Sequence, residues 1–363
     1  MNLALFFTYG TSLVDWNNNG SLDREINIYR KLAPHFTTIY FLTYGYDDAQ
    51  YADKFPKNIV ILPRKMRVPL VVYSVMIPFL YQKQLRSCNW LKTNQMLGSW
   101  SAVIAKWLFR KKLLLRTGYT ESLSFVDKGI CRKMITTLIE RIAYMVADKS
   151  IVTSEHQKEY IQKKYGITNI QIIPNGIDTD SFRPPVAKKP SEKNTQLLFI
   201  GRLHPEKNLI NLLKAMVGLE NIRLRIIGSG PLKKEIISFS EKNSLFVEII
   251  NNVPNNHLPE QYAQANIYIQ PSLYEGNPKT ILEAMSCGLP VISTDVQGIQ
   301  NIIQHQKNGY LCTIKPNSIR VAIEELAKNT NLREKLSKNA RQHILSNYDI
   351  LHMIQSEVRL YQA

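Results

Sequence analysis

Ser272-Leu273-Tyr274-Glu275-Gly276-Asn277-Pro278-Lys279-Thr280-Ile281-Leu282-Glu283-Ala284-Met285-Ser286-Cys287-Gly288 is the stretch whose reading decides the fold. The apolar run Ile267–Gln270 before it reads as a strand. Gly276-Asn277-Pro278 reads as a turn, and Lys279 onward as a helix that Gly288 terminates. Glu275 stands in the turn and Glu283 stands in the helix, eight positions on. That is just over two helical turns, so a helix starting near Lys279 can bring Glu283 back beneath the turn. Carboxylates accept hydrogen bonds from hydroxyls, while the N–H groups and dipole at a helix start favour an anion. A cleft so built suits a ligand with a hydroxyl-rich end and an anionic middle, as in a sugar nucleotide. The plain alternative is two solvated glutamates near a helix start.

Outward from this unit the pattern repeats. Strands are expected near 196–200, 222–227, 246–250 and 290–294, and helices near 208–218, 231–243, 258–265, 316–328 and 331–346. In the first half, Leu3–Thr8, Thr38–Thr43, Ile59–Leu62, Lys112–Leu115, Lys149–Thr153 and Ile170–Ile173 read as strands, with a polar loop through Gly10 and Gly20 after the first. Ser154 with Gln157 makes a capping box for a helix ending at Gly166. Short apolar runs alternating with helical patterns give an α/β fold with a mostly parallel sheet in each half. The 363 residues exceed the usual span of one core. Arg183–Thr195, with Pro184, Pro185 and Pro190 among lysines, lacks periodicity. We therefore expect a first domain over 1–182, a linker over 183–195 and a second domain over 196–346. A C-terminal helix over 347–363 can cross back to the first domain.

Two further turns follow strands and open helices, the usual position for an anion site. In Gly201-Arg202-Leu203-His204-Pro205-Glu206-Lys207-Asn208, Arg202 offers a planar fork to phosphate oxygens and Lys207 a point charge. Gly228-Ser229-Gly230-Pro231 permits close backbone approach. Each has a bland counterpart, a solvated pair of cations or a mere connector; recurrence after successive strands favours a site.

Charge and cysteine content narrow the setting. The net charge of +17 is uneven, with 25 Lys or Arg against 14 Asp or Glu in residues 1–185 and 21 against 15 in the rest. Arg64, Lys65 and Arg67 precede the apolar Val68–Leu80, and Lys83 and Arg86 follow it. Apolar residues flanked by cations suit an anionic membrane surface, and a buried helix with basic ends is the alternative. No nucleic-acid-binding motif accompanies the charge, so nucleic acid is not expected as a partner. Val68–Leu80 is too short to span a bilayer. Cys88, Cys131, Cys287 and Cys312 match no metal or redox spacing and read as reduced thiols of a cytoplasmic protein. The N-terminal Met1–Thr8 lacks a secretory leader's features and reads as a buried strand.

Together, five stretches resemble the retaining glycosyltransferases of family 4. These are Asn175-Gly176-Ile177-Asp178, Gly201-Arg202-Leu203 with Glu206-Lys207-Asn208, Gly228-Ser229-Gly230-Pro231, Pro271-Ser272 with Glu275-Gly276 and Glu283-Ala284-Met285, and Gly288-Leu289-Pro290-Val291-Ile292. The strong motifs cover about residues 140–315. The resemblance implies a GT-B architecture of two facing Rossmann-like domains. It implies transfer of a hexose-type sugar, from a UDP-sugar first or GDP-mannose second, to a glycan or lipid-linked acceptor of polysaccharide or lipopolysaccharide assembly. It implies Arg202 and Lys207 on the donor diphosphate, Glu275 on the transferred sugar and Glu283 on the ribose. Asn277, Pro278, Lys279 and Thr280 would line sugar and phosphates, Gly10 and Gly228 would approach the donor, and Val253 would lie by the base. No metal or other cofactor is implied, and no Asp-x-Asp motif is present.

Two departures stand out. Where many relatives carry a histidine, this chain reads Arg116-Thr117-Gly118-Tyr119, so Arg116 would face phosphate or an acidic acceptor, or form an interior salt bridge. Asn301 stands where relatives often place a glutamate. A sugar-nucleotide epimerase of the same fold, or a non-catalytic sugar binder, are the alternative functions. The expected location is the inner face of the cytoplasmic membrane, without insertion.

Overall fold

A computed structural model of the chain contains two compact units, Met1–Pro174 with Met353–Ala363, and Asn175–His352. The structure describes residues 1–118, 130–185 and 194–362, the stretch 130–133 by its backbone alone. Tyr119, most of the expected linker, and the side chains of Cys131, Arg132 and Lys133 lie outside the described residues.

The first unit is built on seven parallel strands: β1 (Asn2–Phe6), β2 (Thr38–Leu42), β3 (Ile59–Leu62), β4 (Trp90–Thr93), β5 (Lys112–Thr117), β6 (Lys149–Val152) and β7 (Ile170–Ile172). Their order is β3-β2-β1-β4-β5-β6-β7. Between them run α1 (Leu13–Asn18), α2 (Leu22–Leu32), α3 (Leu70–Leu80), α4 (Gln82–Ser87), α5 (Ser99–Phe109), α6 (Ile130–Val146) and α7 (Glu155–Tyr165). Right-handed crossovers put α2 on one face of this sheet and α3, α5, α6 and α7 on the other, because the strand order reverses at β1. β1 is buried on both faces, hence its unbroken apolar sequence.

Three local expectations are corrected. The polar loop after β1 contains α1, which starts in a capping box: Asp15 N donates to Ser12 Oγ at 3.0 Å and Ser12 N to Asp15 Oδ2 at 2.8 Å. The capping box at Ser154 is only half made. Gln157 N donates to Ser154 Oγ at 3.4 Å, but the Gln157 side-chain oxygen accepts from Thr153 N at 2.9 Å. The domain boundary falls before Asn175 rather than after Phe182, because Ile177 and Phe182 are buried in the second unit's core.

The second unit has six parallel strands, β8 (Thr195–Ile200), β9 (Ile222–Ile227), β10 (Val247–Ile250), β11 (Ile267–Gln270), β12 (Val291–Thr294) and β13 (Tyr310–Cys312), in the order β10-β9-β8-β11-β12-β13. Its helices are α8 (Leu209–Met216), α9 (Lys233–Lys242), α10 (Leu258–Ala263), α11 (Lys279–Ser286), α12 (Pro316–Lys328) and α13 (Thr330–Asn347). Two apolar cores sandwich the sheet, one around Ile281, Leu282 and Met285 of α11, the other around Leu212 and Leu213 of α8 with Ile319 and Ile323 of α12.

The last helix, α14 (Ile350–Gln362), begins in the second unit and ends in the first. There Lys92 of β4 pairs with Glu357, Trp90 Nε1 donates to Tyr361 O at 3.1 Å, and Lys149 Nζ donates to Leu360 O at 2.8 Å. Buried Cys88, Cys287 and Cys312 are free thiols; burial pushes Cys88 and Cys312 up to about 12. Among the described residues no helix is long and apolar enough to cross a membrane.

Candidate donor site

The site grows from the carboxyl ends of β8, β9, β11 and β12, around the reversal of strand order between β8 and β11 where open α/β sheets bind ligands. The turns after β8 and β9 are laced together: Leu203 N donates to Ser229 O at 2.9 Å and Leu232 N to Leu203 O at 3.1 Å. Gly228 allows this. A Cβ there would lie 2.0 Å from Gly201 O, and its φ of +147° is rare for any other residue. Leu273 N donates to Glu206 O at 2.8 Å, tying the β11 turn to the loop that carries Lys207.

Glu275 is the hub. It is 9% exposed, and its Oε1 accepts from Lys207 Nζ, Gln270 Nε2 and Ser272 Oγ, each at 2.6 Å. Gln270 is aimed by Tyr268, whose hydroxyl donates to Gln270 Oε1 at 2.6 Å. Burial pushes the Tyr268 phenol well up, and the charges of Glu275 and Glu283 add to that, so it keeps its proton and acts as donor. With its oxygen so occupied, Gln270 can only turn its amide N–H groups to Glu275. The backbone behind Glu275 is fixed from the β12 side, where a Cβ on Gly298 would meet Glu275 O at 2.2 Å.

Glu283 is 1% exposed. Its Oε2 accepts from Tyr262 OH at 2.9 Å and its Oε1 from Asn255 Nδ2 at 3.4 Å. Both glutamates thus act on one buried phenol, Tyr268, and the eight-residue spacing brings them into one neighbourhood. Glu283 sits beneath the surface with protein partners, whereas Glu275 lies at its edge. Lys207 is also largely enclosed, its side chain 13% exposed, while Arg202 is 72% exposed and reaches Glu206 Oε1 at 3.1 Å.

Lys279 and Thr280 open α11. Pro278 before them makes no side-chain cap. Asn175 Nδ2 donates to Asn277 O at 3.0 Å and holds this turn from the Asn-Gly motif. Val253, in the loop after β10, is partly buried against the core that contains α11. These residues all belong to the second unit.

The remaining expected residues belong to the first. Gly10 is exposed just beyond β1, with φ of +75°. Arg116, at the end of β5, has NH1 3.9 Å from Glu357 Oε2, so its interior salt-bridge alternative is what the structure shows. Burial would raise the Glu357 carboxyl, but Lys92 and Arg116 hold it below the usual carboxylate range. Arg64 is half-buried: Nε donates to Met66 O at 3.0 Å and the guanidinium lies over the rings of Tyr46 and Tyr73 at 4.8 and 5.4 Å. Lys65 and Arg67 are exposed. Sequence reasoning missed Tyr268, Gln270 and Gly298. The one signal was a glutamine closing an otherwise apolar strand.

Comparison with known proteins agrees with this layout. The profile described as Glycosyltransferase Family 4 matches residues 27–181, and that described as Glycosyl transferases group 1 matches residues 183–343. A UDP-Gal:alpha-D-GlcNAc-diphosphoundecaprenol alpha-1,3-galactosyltransferase of Escherichia coli is 27% identical over 248 residues, 63% of this chain and 64% of that protein. An amylovoran biosynthesis glycosyltransferase of Erwinia amylovora is 27% identical over 212 residues, 55% of this chain and 58% of its own. The chain thus spans less than two thirds of the length of either relative. Among solved structures, a sucrose-phosphate synthase from Thermosynechococcus elongatus superposes with a TM-score of 0.83 at 19% identity, covering 100% of this chain and 98% of that one. Anabaena HepE in complex with UDP and glucose gives 0.80 at 16% identity, covering 100% and 99%. With two parallel Rossmann-like sheets and two family profiles that between them run from residue 27 to residue 343, the chain belongs to the family 4 glycosyltransferases of GT-B fold.

Proposed function

We propose that this glycosyltransferase moves a hexose-type sugar, with retention, from a UDP-sugar (GDP-mannose being the second candidate) onto a lipid-linked or cell-envelope glycan. The observation that carries the proposal is the Lys207–Glu275 pair with Arg202 beside it, at the carboxyl edge of the second sheet. An exposed guanidinium and an ammonium two residues before the start of α8 suit a diphosphate, and Glu275 suits the hydroxyls of the sugar attached to it. In this reading Glu283, with Tyr262 and Asn255, serves the ribose from beneath; Asn277, Pro278, Lys279 and Thr280 line sugar and phosphates; Gly228 and Val253 serve close approach and the base. Gly10 is the first unit's donor contact.

In the proposed reaction the bond from the anomeric carbon to the diphosphate oxygen breaks first. The acceptor oxygen then bonds to the same face, and its proton passes to the departing phosphate oxygen. Arg202 and Lys207 stabilise the negative charge that accumulates on that leaving group. They supply the role a divalent metal plays elsewhere, so activity is expected to survive chelation by EDTA. The E. coli and HepE comparisons support a UDP donor and a lipid-linked acceptor.

We place the enzyme at the cytoplasmic face of an anionic membrane, with Lys65 and Arg67 toward headgroups and Arg64 shaping their loop. The test is incubation of the protein with labelled UDP-hexoses and GDP-mannose together with a membrane lipid extract. Transfer of label into lipid with the donor's anomeric configuration is expected. Failure of UDP and GDP alike to raise the melting temperature, with no transfer, would remove the reading.

A further inference from the structure

In the first unit α3 and α6 both pack against α5, on one face of the sheet. The outward sides of these helices are apolar. On α3 the exposed residues are Val71, Val72, Val75 and Phe79, while Tyr73, Ser74 and Ile77 are buried. On α6, Met134, Leu138 and Met145 are between 58% and 67% exposed, with Ile135 and Ile142 beside them, while Glu140, Ala143 and Tyr144 face inward. On α5, Trp107 is 63% exposed, next to exposed Leu108. The spacing on α6 is three to four residues, so this is a continuous stripe. It inverts the ordinary surface helix, which turns its polar side to water and its apolar side to the core. α3 is apolar all round, the pattern of a helix covered on both sides.

The charge around this face is mostly positive; Asp148, just after α6, is paired with Lys106 of α5. From Lys54 to Thr120 the sequence holds thirteen Lys or Arg and no Asp or Glu. Lys65, Arg67, Lys83, Arg86 and Arg110 of that stretch are exposed, and Arg141 stands exposed within the α6 stripe. A second copy of the chain would set like charges against each other. An anionic bilayer satisfies both features, because acyl chains take up the apolar stripe and headgroups meet the cations.

We infer that the α3–α5–α6 face is an interfacial membrane anchor, which dips Trp107 and the Met134–Met145 stripe below the headgroups of an anionic leaflet. The inference deepens the membrane part of the proposed function and rests on it. It moves the apolar contact from the segment after Arg67 alone to three helices.

Vesicles of equal parts phosphatidylglycerol and phosphatidylcholine, and vesicles of phosphatidylcholine alone, provide the test. Wild-type protein sediments with the anionic vesicles, less so at high salt, and its tryptophan emission shifts to the blue. Trp16 and Trp90 are buried, and half-buried Trp100 is held by Ser74 Oγ at 2.9 Å and packs on the Tyr9 ring, so most of the shift is lost in Trp107→Phe. Leu138→Gln with Met145→Gln lowers vesicle partition by roughly tenfold or more. Val75→Gln with Phe79→Gln does the same, as a second variant should the first disturb folding. UDP and GDP thermal shifts, measured on the same variants, stay at wild-type size. The inference is overturned if the glutamine variants bind vesicles as wild type does, if emission does not move, or if lipid-free protein sediments as a dimer that already shields Trp107. Loss of nucleotide binding with vesicle binding intact would instead remove the donor reading and leave the anchor standing.

Discussion

The two units share one plan, a parallel sheet whose strand order reverses beside its first strand, yet they place their charges differently. In the second unit Lys207, Glu275 and Glu283 are drawn into hydrogen-bonded networks with Gln270, Ser272, Tyr262 and Asn255, and the loops carrying them are pressed together. In the first unit exposed apolar side chains on α3, α5 and α6 stand near exposed cations, Arg141 on α6 and Lys65, Arg67, Lys83, Arg86 and Arg110 beside the helices, and the buried ion pair of Lys92 and Glu357 serves to fasten α14. A preorganised pocket for a charged ligand needs its charges held before the ligand arrives. A surface for an extended, fluid partner needs only density and sign. On the proposed reading the same architecture carries two kinds of recognition.

The sharpest way to break the comparison is Lys207→Ala. If Lys207 both grips the diphosphate and neutralises Glu275, turnover falls by on the order of a hundredfold or more. Stability also falls by about 3–5 kcal/mol, since one partner of an enclosed pair is left behind. Urea unfolding and steady-state kinetics on one preparation read both. Arg202→Ala sharpens the point: a comparable loss of turnover is expected with an unchanged melting temperature, because its guanidinium is exposed and its ion pair with Glu206 lies at the surface. A melting temperature that drops with Arg202, or holds with Lys207, would show that the two cations are not divided as described.

On the first unit, Glu357 gives a prediction with a pH window. Its folded-state pKa is depressed, so its contribution is intact above the unfolded glutamate value of about 4.3 and is lost as the pH falls through the lower folded value. Glu357→Gln should lower the melting temperature at pH 7 and flatten its fall below about pH 4; an unchanged acid limb would mean that other carboxylates govern it. The smallest expected effect is that of Lys65→Glu with Arg67→Glu. Each cation near an anionic surface contributes about 1 kcal/mol, so losing two should weaken vesicle binding by roughly thirtyfold while UDP binding stays put. Equal binding to neutral and anionic vesicles by wild type would remove the contrast between the units.

What could be read from the residues alone follows the range of the interactions. The βα alternation, the glycine turns after β8 and β9 and the placement of Arg202, Lys207 and Glu275 at strand ends all rest on neighbours in sequence. β4 went unread because Lys92 interrupts it, and that lysine is tolerated only by Glu357, 265 residues away. The short helix α1 was hidden because its six residues, half of them polar, are too few to show a period, although its Ser12–Asp15 box is local.

The sequence by itself determined the fold class and the family, and set Arg202 and Lys207 in the turn after a strand, because backbone periodicity, turn chemistry and helix starts act over a few residues. Only the tertiary structure decided that Glu283 lies buried under Tyr262, that Tyr268 aims Gln270 at Glu275, and that Arg116 turns to Glu357. It also decided that the apolar side of α6 faces outward. Those outcomes depend on which distant group comes within hydrogen-bond or ion-pair reach, and on which side of a helix the sheet covers. Chain order does not encode either until the sheet has closed over its helices.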